Sequence, residues 1–131
     1  MRCTLAALAL LTPLTAAAAQ DCAPPLKPML RAELYFGRSV AGGQVSDTQW
    51  SQFARTELTR RFPDGLTILD ARGEWRDGRR VVRERSKLVI AVMPDTPDAR
   101  ERIAGTAESY KKRFRQKSVG IVTQTVCAAF D

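Results

Sequence analysis

The chain has 131 residues, a formal charge of +7 from 21 Lys and Arg against 14 Asp and Glu, and no histidine. The missing histidine excludes Ser-His-Asp and Cys-His catalysis, a histidine general base, and the usual zinc and haem sites. The length suits one domain with a modest core, and the arginine-rich surplus of charge favours anionic partners.

Arg2, the apolar run from Leu5 to Leu14 and the small residues Ala16 to Ala19 read as a secretory signal over residues 1–19. Cleavage after Ala19 predicts a periplasmic or secreted protein. The run is too short to cross a bilayer and no later segment is long and apolar enough, so no transmembrane segment is expected. Asp21, directly before Cys22, argues against a lipid anchor. Of three cysteines Cys3 leaves with the signal, and Cys22 and Cys127 are expected to pair in an oxidising compartment. Residues 20–29 carry Pro24, Pro25 and Pro28 and read as an extended lead-in to a single domain over 30–131.

Within that domain, Arg31 to Phe36 alternates Ala32, Leu34 and Phe36 against Arg31, Glu33 and Tyr35, the period of a half-buried strand. Gly37 to Gln44 reads as a loop. Ser46 and Gln49 form a capping box, and Trp50, Phe53, Ala54, Leu58 and Phe62 share one helical face before Pro63. Leu66 to Arg76 and Arg79 to Met93 are extended runs joined by Asp77-Gly78, a hairpin signal. Thr96-Pro97 opens a second helix with Ala99, Ile103, Ala107, Tyr110 and Phe114 on its apolar stripe, and Val119 to Phe130 is a final strand.

The order strand, helix, strand, strand, helix, strand predicts an α+β, ferredoxin-like βαββαβ fold: a four-stranded antiparallel sheet with two helices on one face. The first and third strands are expected to be central and parallel to each other, with the fourth antiparallel beside the first. That arrangement brings the residues before the first strand near the end of the last, as a Cys22–Cys127 bridge requires.

A turn centred on Asp77-Gly78 sets Arg72 opposite Arg83, Ala71 opposite Glu84 and Asp70 opposite Arg85. The face with Leu69, Ala71, Trp75, Val82, Leu88, Ile90 and Val92 is expected under the helices, and Glu84 and Ser86 share it. Glu84 is then either solvated beyond the helices or buried and functional. The opposite face, with Arg31, Glu33, Tyr35, Asp70, Arg72, Arg83, Arg85, Val89 and Ala91, is expected to be open and to serve as a homodimer contact or a ligand floor.

Two short motifs carry little. Ser109-Tyr110-Lys111-Lys112 matches S-x-x-K but lies inside the second helix without companion motifs. Gly37 and Gly42 have phosphate-loop spacing, yet Gly43 and Gln44 stand where lysine and a hydroxyl residue belong. Arg38 and Ser39 in that loop remain candidates for holding a carboxylate or phosphate, with Lys117 and Ser118 expected nearby. Tyr35 is the only aromatic on the middle strands of the expected open face, which disfavours nucleic-acid binding. No cofactor or metal site is expected.

Arg61-Phe62-Pro63-Asp64-Gly65-Leu66-Thr67, then Leu69, Gly73 and Trp75, then Arg83-Glu84-Arg85-Ser86-Lys87, resemble an exported bacterial family catalogued as a domain of unknown function. The likeness extends to Leu34-Tyr35-Phe36-Gly37, the tyrosine-bearing second helix and the late cysteine. It implies the same small α+β domain, brings no catalytic residues with it, and adds interest to the Arg83 to Lys87 stretch and Trp75. Three functions compete. The first is a non-catalytic binding or accessory module for an anionic ligand or envelope partner. The second is a small cofactor-independent enzyme of the dimeric α/β-barrel type, lyase-, isomerase- or monooxygenase-like, with Glu84 or Tyr35 as acid or base and Arg83 or Arg85 holding substrate. The third is a structural envelope protein. A pocket lined by Glu84, Tyr35, Trp75 and an arginine favours the enzyme; a flat solvated sheet favours the module.

Overall fold

The computed structural model describes residues 21–130, so the signal read over residues 1–19 lies outside the described residues. Strand β1 (Lys27–Gly37) is followed by a miniature hairpin, β2 (Ser39–Val40) and β3 (Gly43–Gln44), where the sequence predicts only a loop. β1 also starts inside the lead-in. Pro28 is tolerated there because it stands one residue from the strand's start.

Helix α1 (Asp47–Phe53) opens on the expected box: the Ser46 hydroxyl accepts from the Gln49 amide at 3.1 Å, and the Ser46 amide donates to Gln49 Oε1 at 2.9 Å. It continues through a π-helical stretch (Ala54–Leu58) into a last turn, α2 (Thr59–Arg61). Phe53 and Leu58 are five residues apart, a spacing that an α-helix would carry to different sides. The wider turn brings both into the core, where each is fully buried.

β4 (Thr67–Asp77) and β5 (Arg80–Met93) form the hairpin, and α3 (Pro97–Phe114) and β6 (Gly120–Ala128) complete the chain. The sheet order is β4-β5-β1-β6 and every neighbouring pair is antiparallel. This is the expected α+β, ferredoxin-like arrangement, with one correction. β1 and β5 are central as expected but antiparallel, because the crossover through the first helix makes β1 parallel to β4 and the hairpin then reverses β5. Cys22 and Cys127 form a disulfide across the β1–β6 end of the sheet, closing a loop with a sequence separation of 105.

The hairpin register differs from expectation. Asp77 pairs with Arg80, so the turn is centred on Gly78-Arg79, with Gly78 at φ +59°, a left-handed value that glycine takes without steric cost. Glu74 therefore opposes Arg83, Gly73 opposes Glu84, and Arg72 opposes Arg85.

The faces of the hairpin are also reversed. Leu30, Ala32, Leu34 and Phe36 of β1 are buried, and they pair with Met93, Ala91, Val89 and Lys87. The odd-numbered residues of β5 and the even-numbered residues of β4 thus lie under the helices. Leu69, Ala71, Trp75, Val82, Glu84, Ser86, Leu88, Ile90 and Val92 join Arg31, Glu33 and Tyr35 on the open face. β5 is apolar at both parities from Leu88 to Met93, so alternation alone cannot choose its buried side, and pairing to β1 decides it. The core is completed by an aromatic cluster in which Phe36 lies 4.8 Å from Tyr110 and 5.3 Å from Trp50, ring centre to ring centre.

Candidate functional site

The reversal of the hairpin brings Tyr35, Trp75 and Glu84 to one side of the sheet, where they line a cavity of about 590 Å3. Its hollow comes from small residues. Gly37, Ala71, Gly73, Ser86 and Gly120 belong to the lining, with Leu88. One wall is the β2–β3 hairpin through Ser39, Val40 and Ala41, and another is the α3–β6 connection, Arg115 to Ser118. Gln116 Nε2 donates to the Ser39 carbonyl at 2.6 Å and ties the two walls together.

Glu84 is the most constrained polar group in the cavity. Its Oε1 accepts from the Trp75 indole at 2.8 Å, and its Oε2 accepts from the Ser39 amide at 2.8 Å. Glycine at position 37 is required by this placement, since a Cβ there would stand 2.5 Å from Oε1. A carboxylate offers about four acceptor positions, so two stay available. Tyr35 belongs to a second network. Its hydroxyl donates to Glu33 Oε2 at 2.6 Å, and Arg31 Nε donates to Oε1 of the same carboxylate at 2.9 Å. The bond from Tyr35, then that from Arg31, lowers the Glu33 pKa, and the same bond to Glu33 raises the Tyr35 phenol. Tyr35 is therefore a donor rather than a base at neutral pH.

The other expected site residues divide by strand alternation and by burial. Glu84 and Ser86 face the cavity, whereas Arg83, Arg85 and Lys87 belong to the helix side of the sheet. Arg83 Nε donates to Glu74 at 2.8 Å, Arg85 approaches Asp47 at 4.0 Å, and Lys87 is bonded to Asp70 and lies 5.9 Å from the centre of the Trp50 ring. Arg38 is 1 % exposed. Its Nε and Nη2 donate to the Val45 carbonyl at 2.8 and 2.6 Å, and its Nη1 lies 2.8 Å from Asp47 Oδ1, so its guanidinium braces the β2–β3 hairpin against α1. Ser39 meets Glu84 through its amide, and its hydroxyl is not needed for that contact.

The cavity also holds Arg72, which the strand pattern does name, and residues that the pattern does not single out, namely Gly120 and, above all, Arg115. Lys117 and Ser118 do come beside the loop after β1, as the topology predicts. Arg115 carries a signal in the sequence: helix α3 ends there without the glycine that usually terminates a helix. Ser109 has a structural role, sharing the Glu57 carboxylate with Arg61. Burial raises that carboxyl, but the hydrogen bonds from Arg61 and Ser109 and the nearby charges of Arg61 and Arg60 outweigh it, and the net shift is downward. Among the described residues, no group of three His, Cys, Asp or Glu is placed to hold a metal, and no helix is long and apolar enough to cross a membrane.

A small antiparallel sheet covered by helices on one side, with a lined hollow on the other, is a common frame for ligand sites. Residues 31–130 match the model of a protein family of unknown function, DUF3574, and the chain belongs to that family. None of the curated proteins matches it in sequence. Among solved structures, it is similar to a phage SAM lyase in complex with S-methyl-5'-thioadenosine, with a TM-score of 0.59 and 16% identity over 76% of this chain and 90% of that one. CutA from Synechococcus elongatus PCC7942 has a TM-score of 0.54 at 12% identity, over 81% of this chain and 86% of that one. CutA1 from Oryza sativa has a TM-score of 0.53 at 8% identity, over 80% and 85% respectively. At these identities the likeness is one of fold.

Proposed function

We propose that the protein is an exported, non-catalytic binding module that holds an anionic small ligand in the open-face cavity and associates with a second copy through the same face. The observation that supports this reading best is a cavity lined both by the basic residues Arg115 and Lys117 and by a Glu84 carboxylate that Trp75 and Ser39 hold in place. A volume of about 590 Å3 lies in the range of ordinary ligand sites. The Cys22–Cys127 disulfide and the signal-like residues 1–19 support export to an oxidising compartment. For the second copy, the support is the apolar character of the open face: Leu69, Trp75 and Val122 are each more than 40 % exposed, and Leu88, Ile90 and Val92 are half-buried beside them.

The enzyme reading is supported by the convergence of Glu84, Tyr35, Trp75 and an arginine on one cavity. It ranks second because the Tyr35 hydroxyl is committed to Glu33, and Glu84, although it keeps acceptor positions, is already oriented by the bonds from Trp75 and Ser39. A thermal-shift screen of the oxidised protein against anionic small molecules and cell-wall fragments tests the binding reading, with a rise in Tm expected for at least one anion. No shift from any compound overturns it. Light scattering at tens of micromolar is expected to give twice the protomer mass, and a monomer there refutes the self-association.

A further inference from the structure

Helix α3 ends on Arg115, whose backbone is left-handed at φ 55° and ψ 36°. It is the only non-glycine residue with positive φ among the described residues. The amide of Arg115 donates to the Lys111 carbonyl and closes the helix, as a terminating glycine would do without a Cβ to crowd the following carbonyl. An arginine therefore stands where local conformation favours glycine, and it is one of the residues that line the cavity. Such outliers are kept where the side chain is needed.

The charges of the molecule sharpen the point. Arg31, Arg38, Arg61, Arg83, Arg100 and Arg102 are each paired with a carboxylate. Among the described residues, the Arg115 guanidinium and the Lys117 ammonium engage no ion pair or side-chain hydrogen bond. Both line the cavity, as does Arg72, which likewise engages no ion pair or side-chain hydrogen bond among the described residues. Glu84 keeps acceptor positions beyond those used by Trp75 and Ser39, and Tyr35 and Trp75 contribute aromatic rings to the same lining.

We propose that the cavity takes a flat organic anion carrying a hydrogen-bond donor, with its anionic group held by Arg115 and Lys117 and its donor by Glu84. This rests on the binding reading above and assigns the ligand's chemical class. The anion gains charge-assisted bonds from a guanidinium fork, the donor gains a carboxylate acceptor already oriented by two neighbours, and the ring gains stacking contact.

The probes are 4-hydroxybenzoate, which has all three features, benzoate, which lacks the donor, and phenol, which lacks the anion. Trp75 fluorescence reports binding, and Trp75→Phe identifies the signal as its own, because Trp50 is buried in the core. Binding of 4-hydroxybenzoate is expected to be about tenfold tighter than that of benzoate or phenol. Arg115→Gly is expected to weaken 4-hydroxybenzoate about tenfold without lowering Tm, since it removes the guanidinium and relieves the left-handed conformation. Glu84→Gln is expected to narrow the difference between 4-hydroxybenzoate and benzoate. If phenol binds as tightly as 4-hydroxybenzoate, or Arg115→Gly leaves its affinity unchanged, the cavity still binds ligands and the assigned class is wrong. If none of the three perturbs Trp75, the class is likewise refuted; the binding reading itself falls only if the wider anion screen is also silent.

Discussion

One side of the sheet is closed by two helices and the other by none, yet both carry large apolar side chains. Beneath the helices, Leu30, Leu34, Phe36 and Val89 are at most 1 % exposed, whereas on the open side Tyr35, Leu69 and Trp75 are all above 40 %. The difference lies in what the polar groups do. On the covered side, charged groups are braces: Arg38 binds a carbonyl and Asp47, and Lys87 reaches Asp70 at the margin of the core. On the open side, Glu84 and Tyr35 are oriented by neighbours and line a cavity, and Arg115 and Lys117 in the same lining engage no ion pair among the described residues. One face is thus a packed core and the other bears an open cavity.

The largest test of that contrast is to remove one aromatic from each face. Phe36→Ala takes away the ring that touches Trp50, Phe53 and Tyr110, and chemical denaturation is expected to show a loss of about 3–5 kcal/mol. Trp75→Ala is expected to cost no more than about 1 kcal/mol, because nearly half of its surface is already in water. Equal losses would mean that the open face is as much a core as the other.

Opening the disulfide by Cys22→Ser with Cys127→Ser removes a constraint on a long loop, and a loss of about 2–5 kcal/mol is expected in the same measurement. Trp75 fluorescence should be little changed in the folded double variant, since the bridge lies at the opposite end of β1 from Gly37 and the cavity. A large change would couple the bridge to the site.

Arg38→Ala leaves the Val45 carbonyl without its two charged donors, and a loss of about 2–3 kcal/mol is expected. Arg85→Ala, at an exposed side chain 4.0 Å from Asp47, is expected to stay within about 0.5 kcal/mol. If the two arginines behave alike, Arg38 is not the brace described above.

The smallest effect concerns acid. Glu57 has a folded pKa below its ordinary 4.5, with burial opposing the shift and the bonds from Arg61 and Ser109 producing it. Its contribution to stability is therefore complete above that ordinary value and is lost as pH falls through the lowered folded value. Denaturation midpoints between about pH 6 and pH 3 are expected to fall less steeply for Glu57→Gln than for the parent, and equal slopes would show that the pairing adds no pH dependence.

Much of this molecule is legible along the chain. The capping box at Ser46, the proline after Thr96, the alternation of Ala32, Leu34 and Phe36, and the two distant cysteines are local or combinatorial signals, and each leads to what the structure contains. The π turn is not legible, because it appears only as an awkward spacing between Phe53 and Leu58. Nor is the buried state of Arg38, which depends on the Val45 carbonyl seven residues on and on a helix start beyond it.

The amino-acid sequence by itself determined the four long strands, the two main helices, their order and the bridge, because period, caps and turn residues act within a few positions and the disulfide needs only that the chain ends meet. Tertiary structure alone decided which face of the hairpin is buried. From Leu88 to Met93 both parities are apolar, and only the pairing of Val89 with Leu34 and Ala91 with Ala32 turns one of them inward. That choice also carried Glu84 and Trp75 outward to join Tyr35. The site exists because a long-range strand pairing settled what a local pattern left open.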